Sequence, residues 1–144
     1  METIITLVIG LIGGIAVGTQ APIAGAMGAR VGGAASSFLV HLGGTVASAA
    51  LLVARGGEQI AEWRRLPWYM LGSGVFGLVL YLSLSHTVQR IGAASAVTLV
   101  IVGQLFAGLA IDYLGAFGLP AQSIEPSRLV AVVLLLTGAY LMVR

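Results

Sequence analysis

The chain has 144 residues, 58% hydrophobic and 8% charged, against about 25% charged in an ordinary soluble domain, which excludes a soluble globular protein and indicates an integral membrane one. It has no cysteine, which excludes a disulfide-stapled secreted domain and redox chemistry at sulfur. The net charge of +2 comes from seven arginines placed singly or as the pair Arg64-Arg65, not as a nucleic-acid-binding stripe, so nucleic acid is not an expected partner.

Charged residues divide the chain into the uncharged intervals 3–29, 31–54, 66–89, 91–111 and 129–143. The first four exceed the ~20 residues that a helix needs to cross the hydrocarbon core. The fifth, at 1.5 Å per residue roughly 22 Å long, is completed by Arg128 and Arg144 snorkelling at its ends. The expectation is an all-α membrane domain spanning 1–144, with five transmembrane helices at about 3–25, 31–54, 67–88, 91–112 and 128–143. Glu2 stands where a secretory signal would be basic, so the N-terminal segment is expected to stay in the mature protein.

Helix one carries Gly10, Gly14 and Gly18 at fourfold spacing, and Gly28 and Gly32 are likewise four apart; small residues so spaced let helix backbones approach closely in lipid. Its run "GGIAVGTQAPIAG" holds Thr19 and Gln20 just before Pro22. Either Gln20 marks the helix end near the headgroups, or it lines a cavity whose backbone is loosened by the proline, which donates no hydrogen bond. Helix two places Ser37, His41 and Thr45 on one face at mid-depth. His41 is either a neutral hydrogen-bonded imidazole between helices or a proton carrier, since histidine titrates near neutrality.

The stretch 55–68, "RGGEQIAEWRRLPW", is the most polar and reads as an interfacial loop anchored by Trp63, Trp68 and Tyr69. Helix three ends at His86, Gln89 and Arg90, which suit the interface. Helix four offers Ser95, Thr98 and Gln104, and Asp112 closes it, as a cap or as a partner for Arg128. The loop 112–128 contains two glycines and two prolines before Ser127, a candidate cap for helix five.

Polar groups in hydrocarbon face a bundle interior or a cavity, which makes Gln20, Ser37, His41, Ser95, Thr98 and Gln104 the candidate substrate-binding residues. No Asp, Glu, Lys or Arg stands in the middle of a span. No catalytic motif, cofactor motif or metal-ligand cluster is present, so neither an enzyme nor a cofactor is expected.

Five crossings put Arg55, Arg64, Arg65 and Arg128 on one side and Arg30, Arg90 and Arg144 on the other. A four-to-three split gives little orienting instruction. Two readings stay open: insertion both ways round with antiparallel pairing of two copies, or one fixed orientation and a related chain as partner.

The segments "GGIAVGTQAPIAGAMG" (13–28), "SSFLVHLGGTVAS" (36–48), "LPWYMLGSGVFGLVLYLS" (66–83), "RIGAASAVTLVIVGQLFAGLAIDYLGAFG" (90–118) and "PSRLVAVVLLLTGAYLMV" (126–143) together resemble the YdcZ-like family of short bacterial inner-membrane proteins, in the drug/metabolite transporter superfamily. Gly103-Gln104, followed by Ile111-Asp112 and Gly115, is the most specific part. The resemblance implies a five-helix unit like one half of a ten-helix transporter, with two units needed for a pathway.

"GAASAVTLV" also looks like the third helix of the small multidrug resistance transporters, whose substrate-facing aromatics fall where Ser95 and Thr98 stand here. In that group an essential glutamate of helix one occupies roughly the place of Thr19 and Gln20. Neither residue ionises, which argues against strict proton-for-cation antiport and favours a neutral or zwitterionic substrate or a coupling proton carried elsewhere. The expected function is a small secondary transporter moving a small solute by alternating access as an antiparallel dimer; a passive channel and a non-transporting membrane subunit are the alternatives.

Overall fold

A computed structural model describes residues 2–144. Most of the described residues are helical, the segment 119–125 is irregular, and none of them is in a strand. The α-helices are α1 (Glu2–Val31), α2 (Gly33–Ala54), the four-residue α3 (Trp68–Leu71), α4 (Gly74–Leu114) and α5 (Pro126–Val143). Four helical stretches are long and apolar enough to cross a membrane. The 41-residue α4 would measure about 61 Å, twice a hydrocarbon core, and Gly92 interrupts it with φ 80°, ψ 167°. Its two arms, 74–91 and 93–114, overlap the intervals 67–88 and 91–112 expected for the third and fourth helices.

Side chains such as Ile4, Leu11, Phe76 and Leu134 lie open on the surface. In water such a surface would be a liability; in a bilayer it is solvated by acyl chains.

The chain divides into one compact unit ending at Arg90 and a second spanning Ile91–Arg144. In the first, α1 and α2 pack along each other and meet at Gly32, whose φ of 88° and ψ of 152° lie in a region open essentially to glycine. The expected joint at 26–30 is therefore displaced. Pro22 sits inside α1, so the helix forgoes one backbone hydrogen bond there but runs on to Val31.

Glycine packing is concentrated near this joint. A Cβ on Gly25 would lie 2.7 Å from Val88 Cβ, and one on Gly28 would collide with Ser85. One on Gly33 would lie 3.1 Å from Leu82 Cδ2. Gly10, Gly14 and Gly18, expected to pack in the same way, meet nothing within 4 Å among the described residues. Their spacing reports a smooth helix face, not a contact within the chain.

The polar stretch after α2 is a loop with Gly56 and Gly57 at positive φ and a short 3-10 turn at Ile60–Arg65. Arg55–Glu58 and Arg65–Glu62 form exposed ion pairs of 3.1 and 2.7 Å, and Arg64 stands 5.7 Å over the Trp63 ring. The third span, expected from 67, starts its long helix only at Gly74, because the Gly72-Ser73-Gly74 cluster turns the chain after Trp68–Leu71.

In the second unit, the arm 93–114 ends at Gly115, which is left-handed at φ 60°. α5 begins at Pro126, the favoured first helical position for proline, two residues before the expected start. Ser127 Oγ donates to Glu125 Oε2 at 3.3 Å and makes no cap bond to the helix backbone.

Candidate functional site

The candidate residues fall into three places. In the first unit, Thr19 spends its hydroxyl on the Ile15 carbonyl of its own helix, 2.8 Å away. Gln20 is exposed and has no hydrogen-bond partner among the described residues. It lines an open groove of about 670 Å³ with Ala16, Ile23, Leu39, Val40 and Gly43. Small side chains on α1 and α2 leave this volume, and the amide is its strongest polar group.

The second place is a packed node. Ser36 is fully buried and donates to the Ala24 carbonyl across α1 and α2 at 2.8 Å. Ser37 is also buried, and its Oγ lies 3.3 Å from His41 Nδ1. His41 Nδ1 is 2.7 Å from the Ser37 carbonyl, an acceptor only, so Nδ1 is the donor of this bond. The Tyr81 ring stands edge-on to the imidazole, with centroids 5.4 Å apart at 89°, and the Nε2 edge lies against Gly77, where a Cβ would collide with it. The arrangement fits an imidazole serving as interhelical packing. Thr45 donates to the His41 carbonyl at 2.7 Å, and His86 is tied to Arg90 at 2.8 Å.

The third place is in the second unit. Ser95 Oγ donates to the Met142 carbonyl at 2.7 Å, tying the start of the arm 93–114 to the end of α5. Thr98 donates to Ala94 of its own helix. Gln104, Gly108 and Asp112 recur every four residues and so share one helix face. They line a groove of about 380 Å³ with Leu105, Arg128 and Ala131. Gln104 is exposed and has no hydrogen-bond partner among the described residues. Asp112 Oδ2 accepts from Arg128 Nη1 at 3.2 Å, and Arg128 Nη2 donates to Gln122 Oε1 at 3.0 Å.

Local backbone chemistry builds this rim. A Cβ on Gly115 would lie 3.0 Å from the Ala121 nitrogen, so the turn needs glycine on both steric and φ grounds. It folds the chain back until the Gln122 N–H reaches the Asp112 carbonyl at 2.8 Å. Of the two outcomes open for Asp112, the structure has the pair with Arg128. Sequence reasoning left Asp112, Arg128 and Gln122 outside the candidate set; the fourfold spacing of Gln104, Gly108 and Asp112 was the signal available.

A sequence model of the family described as "Putative inner membrane exporter, YdcZ" matches residues 5–141. The chain belongs to the YdcZ family. Membership agrees with the resemblance carried by Gly103-Gln104, Ile111-Asp112 and Gly115, and with the relation to the drug/metabolite transporter superfamily. It makes the chain an inner-membrane transport protein, and the family description names an exporter, not an enzyme. No curated protein and no solved structure matches the chain.

Proposed function

We propose that this YdcZ-family chain is a secondary carrier that moves a small metabolite or drug-like solute by alternating access, as a dimer of two copies in opposite orientations. The observation that carries the reading is the pair of unsatisfied amides: Gln20 and Gln104 each stand in an open groove without a hydrogen-bond partner among the described residues. An unpaired amide within a membrane span is costly and marks a solute path or a contact with another chain. Neither amide ionises, which favours a carrier whose binding groups do not depend on a titrating carboxylate.

The near-even arginine split supports insertion both ways round. Pairing inverted units is a route by which a small membrane chain makes a complete transport pathway. Ser37 and His41 would then shape the wall behind the Gln20 groove, and Ser95 and Thr98 would hold the helix that carries Gln104.

The test is transport by purified protein in liposomes, using a solute picked by its stabilisation of the folded chain. A carrier saturates and shows counterflow, whereas a channel passes solute without saturation. Gln20→Ala and Gln104→Ala are expected to abolish transport while the protein still inserts and dimerises; normal transport by both would remove these grooves from the pathway. Reporter fusions at the C-terminus are expected to be active on both sides of the membrane, and activity on one side alone would contradict the antiparallel dimer.

A further inference from the structure

We infer that the groove between the arm 93–114 and α5 binds a compact zwitterion with an apolar tail, a solute carrying an ammonium and a carboxylate on neighbouring carbons. The inference rests on the carrier reading and names the solute class for one of its grooves.

The Asp112–Arg128 pair borders the groove. Its side chains are 37% and 41% exposed, so the pair is not sealed inside the protein. It is also joined by a single hydrogen bond of 3.2 Å, not by the two parallel bonds that a guanidinium and a carboxylate form when they serve each other fully. Arg128 spends its second nitrogen on Gln122 and keeps further N–H donors, of the five a guanidinium has. Asp112 keeps Oδ1 without a side-chain partner among the described residues.

A solute ammonium on Asp112 and a solute carboxylate on Arg128 would fill both valences at once. Charge matching selects the class. A cation alone would satisfy the aspartate and compete with Arg128 for it; an anion alone would do the reverse. Only a solute with both charges extends the existing pair without breaking it, and it adds no net charge to a site bordering hydrocarbon, where charge is costly.

The rest of the groove fits the remainder of such a molecule. From Asp112 to Gln104 is two helical turns, about 12 Å, and the wall between is Leu105, Gly108 and Ala131. Gly108 meets nothing within 4 Å at its Cβ position, so the floor is open. A volume of about 380 Å³ is at the small end of solute sites. A branched apolar side chain would lie over Gly108, toward the Gln104 amide.

The experiment uses the full-length protein in lipid nanodiscs and three probes with one side chain: leucine, leucinamide and N-acetylleucine, which carry both charges, the positive charge alone and the negative charge alone. Leucine is expected to bind saturably and at least about tenfold tighter than either analogue, a difference of about 1.4 kcal/mol. Asp112→Asn is expected to abolish the preference over N-acetylleucine, and Arg128→Gln the preference over leucinamide. A second measurement leaves the ion pair intact: Gly108→Cys introduces the chain's one thiol, and leucine, but neither analogue, is expected to slow its alkylation by a maleimide.

Equal binding of the three probes, no binding of leucine, or no protection of the thiol overturns the proposal. The carrier reading fails separately. Counterflow of another solute by a chain that does not bind leucine keeps the carrier and removes this site; leucine binding without counterflow keeps the site and removes the carrier.

Discussion

The two compact units solve the problem of packing helices in lipid in different ways. In the unit ending at Arg90, helices meet where glycine lets backbone meet side chain: Gly25 against Val88, Gly28 against Ser85, Gly77 against His41. Buried hydroxyls such as Ser36 then bond across the gap. In the unit Ile91–Arg144, the two long helices are tied near their ends, by Ser95 to Met142 and by Arg128 to Asp112, and a groove lies beside the second tie. Close contact gives a scaffold. Ties at the ends leave room for a solute.

The sharpest way to break this comparison is to add side-chain volume to one glycine in each unit. Gly28→Val forces a branched side chain onto Ser85 and is expected to cost about 3 kcal/mol, the upper end of ordinary overpacking, read from reversible unfolding in detergent. Gly108→Ala enters open space and is expected to stay within about 0.5 kcal/mol of the parent. Equal losses would show that the two regions are packed alike.

Hydroxyl deletions give smaller effects of opposite sign. Ser36→Ala removes a buried interhelical bond, and Ser95→Ala removes the tie to Met142; each is expected to cost about 0.6 kcal/mol, the average for such bonds in membranes, and at most about 1.7 kcal/mol. Ser85 is buried with an oxygen that has no partner among the described residues, so Ser85→Ala is expected to raise stability by up to about 1 kcal/mol, because an unpaired buried hydroxyl costs desolvation without return. A loss at Ser85 as large as that at Ser36 would show that the hydroxyl has a partner in the membrane.

Much of the fold was legible because a bilayer is a demanding solvent: runs of apolar residues between charged ones foretold long helices, and the boundary expected between 88 and 91 lies beside Gly92, which breaks α4. The end of α1 was harder to read. Pro22 suggests an early end, but what stops the helix is the backbone conformation of Gly32, and glycine is too common here for its φ to be legible. Glycine spacing was ambiguous for the same reason: Gly10, Gly14 and Gly18 have the packing pattern without a neighbour, while Gly77, outside any such pattern, holds the His41 ring.

The candidate residues divide on similar grounds. Gln20 and Gln104 were legible as amides in hydrocarbon, and both line grooves. Ser95 and Thr98 were legible only as polar, since a hydroxyl's choice between a solute and a nearby carbonyl depends on which carbonyl lies in reach. Asp112 and Arg128 are sixteen residues apart in sequence, and the turn at Gly115 that joins them leaves no periodic trace.

The most direct measurement of the central claim is counterflow by proteoliposomes holding the intact chain, with unlabelled leucine inside and labelled leucine added outside. The account predicts a transient, saturable accumulation of label above its equilibrium level, absent with Gln104→Ala although that variant inserts and dimerises. A flux that rises without saturation, or one that Gln104→Ala carries as well as the parent chain, would contradict it.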